Sequence, residues 1–404
     1  MASYMLPPDG LAELRTEAER LLVFGHAARV PRGFAWLDTS GRPTHAPLRL
    51  YVTARLTHVY SLAALLGHEG AADLVGHGLS CLETSFHDDR YGGWFTSVDP
   101  DHDQPVDDTK QAYPHVFVML AASSAVIAGL GGERLLEQAC AVYDEHFWDD
   151  EYAMGREEWD RAFTSTSAER GANSTMHAVE AFLTVAVATG DDRWQQRAEA
   201  MAERITGVAE SHDWRIPEHF DQAWIPDLER HRDSPRDPVK PYGATPGHGL
   251  EWARLLLQLQ AGGTGDRDWL PVALHLADRA IADAWAVDGA DGFVYTVDWQ
   301  GRPLVRNRLH WVACEALGAA AALWQRTGDD TWARWWDTWW RYVERHLIDR
   351  EHGSWHHELD ERNRPAATIR PGKADLYHAV QSCLLPALPL RPAIAQAVRD
   401  LTRP

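Results

Sequence analysis

The chain has 404 residues and a formal net charge of −20, with 39 Lys and Arg against 59 Asp and Glu. Nucleic-acid binding needs clustered Lys and Arg, and no basic stripe is present, so this class of partner is disfavoured. The first residues lack a basic segment followed by an apolar core, which argues against a signal peptide. The most apolar run, 116–130, is shorter than the roughly twenty residues of a membrane span, which disfavours a membrane protein.

The four cysteines, Cys81, Cys140, Cys314 and Cys383, stand singly within helical patterns and form no CxxC pair. Free thiols of this kind are typical of proteins kept in a reducing compartment. We therefore expect a cytoplasmic protein.

Apolar residues recur with helical periodicity along most of the chain and predict about twelve principal helices. In chain order these are 11–30, 49–66, 71–86, 113–130, 133–147, 173–189, 194–211, 247–260, 269–285, 309–326, 330–347 and 374–385. Gly followed by Asp, as in 190–192 and 328–330, pairs a helix stop with an N-cap for the next helix. The twelve helices are expected to form six hairpins.

A short acidic and aromatic phrase recurs about every sixty to seventy residues, which is the sign of a repeated supersecondary unit. It occurs at 86–95 and 147–154 and, in looser form, at 212–217, 285–293 and 347–355. Hairpins stacked in a closed ring place all these phrases at one mouth. The prediction is an all-α fold, an (α/α)6 barrel with short β-hairpins and long loops at that mouth, as a single catalytic domain over residues 1–404.

Two further segments belong to this mouth. Residues 293–297 read as a short strand, and 226–246 is the longest irregular stretch, rich in Asp, Arg and Pro. Long loops in a compact domain are often functional lids. No Gly-x-Gly-x-x-Gly phrase follows an apolar strand, which argues against a dinucleotide-binding fold.

Five polar clusters lie at or near predicted helix starts, where the ring places them at the same mouth. They are Tyr51 with Arg55, Asn173 with His177, His248 with Glu251, His310 with Trp311 and Glu315, and His378. Each cluster is weak alone, because a histidine on a helix face is more often structural than catalytic. Their common position makes them the candidate site.

His248 and Glu251 form the strongest cluster, just after the turn at Pro246 and Gly247. Residues three apart share a helix face, so the carboxylate is placed to orient the imidazole. The alternative is that Glu251 completes a capping arrangement and His248 is a surface group.

Metal chemistry is not expected. No HExxH or HxH phrase occurs, and no acidic pair stands at ligand spacing beside these histidines. A glycoside hydrolase would need two carboxylates that flank the bond, whereas the residues here are mostly histidines. A non-enzymatic binding scaffold would have no cluster of buried ionisable groups.

The motifs, taken together, resemble those of the N-acylglucosamine 2-epimerase superfamily, and within it the bacterial aldose–ketose isomerases. The resemblance covers nearly the whole chain. It rests on the segments 53–58, 91–94, 173–177, 246–252, 310–317 and 375–378. It implies an (α/α)6 barrel, no cofactor or metal, and proton transfer on a sugar that opens to its aldehyde.

The resemblance also implies roles for the candidate residues. His248 and His378 correspond to the acid/base pair, with His378 as the base at C2 and Glu251 bracing His248. Arg55, His177 and Asn173 would stabilise an oxyanion. The substrate-binding set is Tyr51, Asn173, Trp311, Glu315 and His310.

The resemblance favours D-mannose, or a related aldose such as D-lyxose, as the monosaccharide substrate, with a homo-oligomer as a possible assembly. The segment 309–315 resembles the isomerase type rather than the disaccharide 2-epimerases, which usually have a double-Trp phrase there. A 2-epimerase or a sulfoquinovose isomerase stays as the alternative. A sulfonate would need an extra cationic pocket, for which Arg236 and Lys240 are candidates.

Overall fold

The computed structural model describes residues 5–263, 265, 267–374 and 376–402. This part of the chain contains thirteen α-helices. They are α1 (Pro8–Gly25), α2 (Leu50–Leu65), α3 (Ala71–Thr84), α4 (Ala112–Ala128), α5 (Glu133–Val142), α6 (Ala172–Thr189), α7 (Arg193–Ser211), α8 (Pro246–Ala261), α9 (Leu270–Ala284), α10 (His310–Thr327), α11 (Asp330–Tyr342), α12 (Tyr377–Leu384) and α13 (Ile394–Thr402). Asp375, in the last of the sequence motifs, lies outside the described residues.

Six of the helices form a closed inner ring, in which each packs against its neighbours in the order α2, α4, α6, α8, α10, α12 and back to α2. Each inner helix also packs on an outer one: α3, α5, α7, α9 and α11 follow their inner partners in the chain, and α1 covers α12. This is the predicted (α/α)6 barrel.

Burial follows the two rings. Nearly every residue of α4 is buried, from Ala112 to Ile127, whereas α5 buries only Leu135, Leu136 and Ala139. A helix that is apolar on all sides belongs inside a protein, and a helix with one apolar stripe belongs on its surface. The sequence pattern therefore sorts the helices into the inner and outer rings.

Short antiparallel strands gather at one end of the ring, where the outer helices connect to the next inner helices. They are β1 (Arg29–Val30), β2 (Gly33–Phe34), β3 (Leu48–Arg49), β4 (Ser97–Val98), β5 (Pro105–Asp107), β6 (Lys110–Gln111), β7 (Trp148–Asp149), β8 (Met154–Gly155), β9 (Glu158–Trp159), β10 (Arg170–Gly171), β11 (His219–Phe220), β12 (Thr296–Val297), β13 (Pro303–Val305), β14 (Arg308–Leu309) and β15 (Glu358–Leu359). Strands β3, β6, β10 and β14 lead directly into α2, α4, α6 and α10. The starts of the inner helices therefore lie at this end.

The recurring phrases form tight turns at this end, as predicted. Backbone bridges join His87 to Trp94, Trp285 to Phe293 and Ile348 to Trp355, and β7 pairs with β8. The strand expected within 293–297 is β12, which pairs with β13. The stretch between β11 and α8 contains no regular helix or strand among the described residues, which agrees with the irregular segment expected at 226–246.

Several helix bounds differ from the prediction. Helix α1 ends at Gly25, because a 3-10 turn and the β1–β2 pair follow it, and α12 begins at Tyr377 rather than at 374. Helices α5 and α11 end at Val142 and Tyr342, because a π-helical turn completes each of the stretches predicted to end at 147 and 347. Helix α13 was not predicted from the sequence; it follows a proline-rich stretch and packs against α2, α4 and α6. Together with 385–391, α13 covers the end of the ring that lies away from the strands. None of the described helices is long and apolar enough to cross a membrane.

Candidate active site

The starts of the inner helices surround a cavity of about 360 Å³ at the strand-bearing end of the barrel. Its wall is made of Arg55, Tyr113, Asn173, His177, Pro238, Val239, His248, Glu251, Tyr295, Trp311, Arg370 and His378. The cavity therefore unites seven of the ten candidate residues, which come from five different helices.

His248 lies in the first turn of α8, after Pro246, whose ring suits a helix start. The imidazole is buried, and its Nδ1 lies 2.8 and 2.9 Å from the two carboxylate oxygens of Glu218. The expectation that Glu251 braces His248 is wrong. The contacting carboxylate comes instead from the residue before β11, on a neighbouring repeat.

Glu251 points toward other charges. Its Oε1 lies 3.8 Å from Nδ1 of His177 and 3.5 Å from a terminal nitrogen of Arg254, a fully buried guanidinium one turn further along α8. Burial and the neighbouring Glu315 raise the pKa of Glu251 well above its usual range. This carboxyl group therefore favours its protonated form.

His378, in the first turn of α12, has its own carboxylate partner. Its Nδ1 lies 2.8 Å from Oε1 of Glu315, whose Oε2 accepts a hydrogen bond from Nε of Arg254 at 3.0 Å. Burial by itself would raise the pKa of Glu315, but Arg254 and His378 hold that pKa below its usual range. Glu315 is not in the cavity wall. It lies behind His378 instead of making the substrate contact that was expected from the sequence.

Arg55 is buried within an aromatic frame. Its guanidinium carbon lies 4.2 Å from the ring centre of Phe117 and 4.6 Å from that of Tyr377, and the group donates to the Tyr113 hydroxyl at 2.9 Å. Cations are attracted to aromatic faces, and this attraction grows when water is excluded. A terminal nitrogen of Arg55 also lies 3.5 Å from Nε2 of His177, so the two predicted residues are neighbours.

His177 is held neutral at physiological pH. Burial lowers the pKa of the imidazole to about 4, and Arg55 adds to this effect, although Glu180 acts in the opposite direction. Nδ1 of His177 lies 3.6 Å from Glu180, whose carboxylate also accepts a hydrogen bond from the hydroxyl of Tyr377. Beneath the cavity there is thus a connected layer of buried charges.

Trp311 lies between His248 and His378, the two histidines that have carboxylate partners. Its ring centre is 5.1 Å from that of His248 and 5.9 Å from that of His378. The two imidazoles, separated by 130 positions in the chain, therefore meet at one indole. An aromatic face of this kind suits contact with the apolar face of a small ring.

Tyr51 and His310 lie beside the cavity rather than in its wall. Both line a neighbouring cavity of about 360 Å³, which shares Arg55 and Arg370 with the first. The ring of His310 stacks on His357, with centres 3.9 Å apart. Direct contact of these two residues with a ligand in the main cavity, as the sequence suggested, is not supported.

Several wall residues were not predicted from the sequence: Tyr113, Pro238, Val239, Tyr295 and Arg370. Tyr113 lies in the first turn of α4, so the helix-start rule that selected the other residues would have found it. Arg370 donates to the carbonyl of Pro238 at 2.8 Å, which joins two loops above the cavity. Loop residues of this kind have no periodic signal in the sequence.

The two cations considered for a sulfonate do not form the cavity wall. Nζ of Lys240 lies 3.0 Å from Oε2 of Glu169, which also accepts from Arg230 at 3.4 Å. Arg236 is not among the wall residues. The cation in that region of the wall is Arg370.

Within the part of the chain that the structure describes, three groups of side chains have donor atoms close enough together to hold a metal ion. They are Glu169, His219 and His231; His177, Glu180 and Glu251; and Glu251, Glu315 and His378. In the last two groups Arg254 lies within salt-bridge distance of Glu251 and Glu315. A guanidinium there already supplies positive charge to these carboxylates.

The geometry suits proton transfer on a small polar ligand. Two buried imidazoles face one cavity, each with a carboxylate on its Nδ1, and a buried guanidinium lies nearby. Imidazole exchanges protons near neutral pH, and fixed donors stabilise negative charge that develops on an oxygen.

The chain is similar to known sugar isomerases. The chain is 44% identical over 408 residues to a D-mannose isomerase of Pseudomonas cannabina pv. alisalensis, covering 99% of this chain and 98% of that protein. It is 45% identical to a D-mannose isomerase of Thermobifida fusca, over 96% of each chain. Its structure matches a crystal structure of D-mannose isomerase with a TM-score of 0.87 at 26% identity, over 95% of this chain and 99% of the other. The family model of N-acylglucosamine 2-epimerase (GlcNAc 2-epimerase) matches residues 33–382, and the chain belongs to this family.

Proposed function

We propose that this protein is an aldose–ketose isomerase that interconverts D-mannose and D-fructose. The observation that carries the proposal is that His248 and His378 line one buried cavity, each with a carboxylate on its Nδ1. Two relatives that match almost the full chain at 44% and 45% identity are D-mannose isomerases, which supports the same substrate here. Related aldoses such as D-lyxose present the same reacting carbons and belong to the proposed substrate range.

The reaction moves one proton between neighbouring carbons. In the open-chain aldose, His378 removes the proton from C2, and the electrons of that bond form an enediolate across C1 and C2. A proton then returns to C1, and the hydroxyl on C2 passes its proton to O1, so that C2 becomes the ketone and C1 carries the hydroxyl. An imidazole both accepts and returns a proton near neutral pH, which is what this sequence of steps requires.

His248 serves the oxygens. It assists opening of the sugar ring and moves protons at O1 or O5. Glu251, whose pKa is raised by burial and by Glu315, supplies a second protonated group next to His177. Trp311, in contact with both imidazoles, supports the carbon face of the substrate.

Arg55, His177 and Asn173 stabilise the negative charge that develops on the enediolate. A guanidinium group such as that of Arg55 keeps its positive charge at physiological pH, and a neutral His177 accepts or donates a hydrogen bond without adding charge. Preorganised donors in a site that excludes water stabilise such an oxyanion far more than water does.

We include metal independence, a cytoplasmic location and a single catalytic domain in the proposal. Arg55 and Arg254 supply the positive charge that a metal ion would otherwise bring to the cavity and to the carboxylates beneath it. The four cysteines are free thiols, which suits a reducing compartment.

The test is to incubate the protein with D-mannose in D₂O and to follow the products by NMR, with and without EDTA. We expect fructose with deuterium at C1, because the transferred proton exchanges with solvent on the imidazole, and equal rates in EDTA. Glucose as the first product would identify a 2-epimerase instead. Loss of activity in EDTA would contradict the metal-free mechanism.

A further inference from the structure

One position of the repeating unit has the same backbone contact in four repeats. The carbonyl oxygens of Thr96, Glu157, Glu218 and His357 each accept a hydrogen bond from the first residue of an inner helix. The donors are the backbone N–H groups of Leu50, Ala112, Ala172 and His310, at 3.1, 2.8, 3.0 and 3.1 Å. The backbone therefore holds each of these four side chains at the mouth of the ring.

At two of these positions the side chain is a glutamate that reaches the next inner helix. The backbone of Glu157 contacts α4 and its carboxylate accepts a hydrogen bond from Ser174 on α6. The backbone of Glu218 contacts α6 and its carboxylate reaches His248 on α8. The repeat thus places the carboxylates of Glu157 and Glu218 at equivalent positions. Only that of Glu218, of these two, contacts an imidazole of the cavity wall, that of His248.

The contact between Glu218 and His248 determines where the imidazole carries its proton. Both carboxylate oxygens lie within 2.9 Å of Nδ1, and the Glu218 residue is only 4% exposed. An ionised carboxylate only accepts hydrogen bonds, so Nδ1 of His248 must be the donor. A neutral His248 then has Nε2 free of its proton and able to accept one.

His378 has the same arrangement from an unrelated part of the fold. Its Nδ1 meets Glu315, which lies on α10 rather than before a strand. Two different elements therefore place a carboxylate on the same nitrogen of the two imidazoles. Both rings present Nε2 as the nitrogen not engaged by these carboxylates.

We propose that Glu218 is a positioning residue of the isomerisation, which holds His248 in its Nδ1–H tautomer against Trp311 so that Nε2 faces the sugar. This inference rests on the proposed function. The carboxylate also stabilises the imidazolium that forms when His248 takes up a proton, because a hydrogen bond between two charged groups is roughly twice as strong as a neutral one.

Glu218→Gln and Glu218→Ala separate charge from orientation. Glutamine keeps an oxygen that accepts from Nδ1–H but removes the charge, whereas alanine removes both. We expect kcat for D-mannose to fall about 10²-fold or more in Glu218→Ala, as for the residue that orients a catalytic histidine elsewhere, with a smaller change in KM. Glu218→Gln should lie between Glu218→Ala and the wild type.

Glu157→Gln is the matched control. It changes the same residue type at the equivalent place of a neighbouring repeat, but its carboxylate contacts Ser174 rather than an imidazole. It should alter kcat less than Glu218→Gln, and it should leave the state of His248 unchanged.

The direct measurement is ¹⁵N NMR of protein labelled at histidine, with the His248 signals identified by their loss in His248→Gln. We expect a protonated Nδ1 and an unprotonated Nε2 in the wild type and in Glu157→Gln, and a mixture of tautomers in Glu218→Ala. A wild-type tautomer in Glu218→Ala, or wild-type kcat with only a lower melting temperature, would overturn the inference. If the wild type leaves D-mannose unchanged, the proposed function fails, whereas the NMR result still decides the effect of Glu218 on His248.

Discussion

Two buried carboxyl groups beneath the cavity have their proton states decided by their neighbours. Glu251 and Glu315 both lie beside Arg254, yet the pKa of Glu251 is raised well above its usual range and that of Glu315 is lowered. The difference arises because Arg254 and the hydrogen bond from His378 lower the pKa of Glu315, whereas burial and the charge of Glu315 outweigh Arg254 at Glu251. Neighbouring titratable groups with separated pKa values are the usual means by which acid and base roles are assigned in an active site.

His378→Asn tests the base directly. We expect kcat for D-mannose to fall about 10²- to 10⁴-fold, the usual contribution of a general acid or base, while the circular dichroism spectrum stays that of the wild type. His45→Asn, in which the side chain is 80% exposed, is the control and should keep full activity. A near-normal rate in His378→Asn would remove this residue from the mechanism.

The sequence predicted most site residues because helix starts are visible in it. Arg55, His177, His248 and His378 each follow a break in the helical pattern, and all of them line the cavity. It did not predict the partners of the two imidazoles. Glu251 shares a helix face with His248, but the closer carboxylate belongs to Glu218, which lies near in space only after the ring has closed.

Among the elements, the loop between β11 and α8 depends on one carboxylate. Glu169, just before β10, accepts from Lys240 at 3.0 Å and Arg230 at 3.4 Å and lies 3.3 Å from Nδ1 of His219. Burial alone would raise the pKa of Glu169, but His219, Lys240 and Arg230 hold that pKa far below its usual range. The same loop carries Pro238 and Val239, which form part of the cavity wall.

Glu169→Gln should therefore loosen this loop. Removal of the charge leaves two cations without their common partner, and we expect trypsin to cleave after Arg230 or Arg232 several-fold faster and KM for D-mannose to rise. Glu229→Gln is the control on the same loop, because its ion pair with Arg232 is more than 60% exposed and such pairs contribute little. Equal cleavage rates in Glu169→Gln and the wild type would contradict the assignment.

Element bounds were predictable wherever Gly, Asp or Pro separated two apolar patterns. Helix α13 was missed because prolines at 386, 389 and 392 interrupt the sequence just before it. The short strands were expected only as turns, since a two-residue pairing is too brief to show a period of two. The pairing of α1 with α12 follows from closure of the ring, which no local pattern reveals.

At the scale of the molecule, buried neutral histidines predict sensitivity to acid. His115 receives a hydrogen bond from the backbone N–H of Trp94 at its Nε2 and lies 2.7 Å from the carbonyl of Gln111 through Nδ1. Burial, together with the nearby Lys110, lowers its pKa to about 3. Because Nε2 accepts a hydrogen bond and Nδ1 contacts a carbonyl, the folded protein disfavours a second proton on the His115 ring.

The free energy of unfolding should therefore fall as pH falls from about 6.5 toward 3. In this range His115 binds a proton in the unfolded chain but not in the folded one. In His115→Gln the slope of stability against pH in this range should be smaller by up to about 1.4 kcal/mol per pH unit. Urea unfolding at pH 7 and pH 5 measures the slope. His102→Gln, at a 72% exposed side chain, should keep the wild-type slope, and an unchanged slope in His115→Gln would refute the assignment.

Because α13 covers one end of the ring, it limits how substrate and product enter and leave the cavity. With that end covered, we expect the aldose to enter and the ketose to leave at the strand-bearing end, near the loops that Arg370 joins. We expect the cavity to hold one sugar at a time, so that each product molecule leaves before the next reactant enters. Aldose and ketose therefore compete for one binding site. The net reaction runs from whichever sugar is present above its equilibrium proportion.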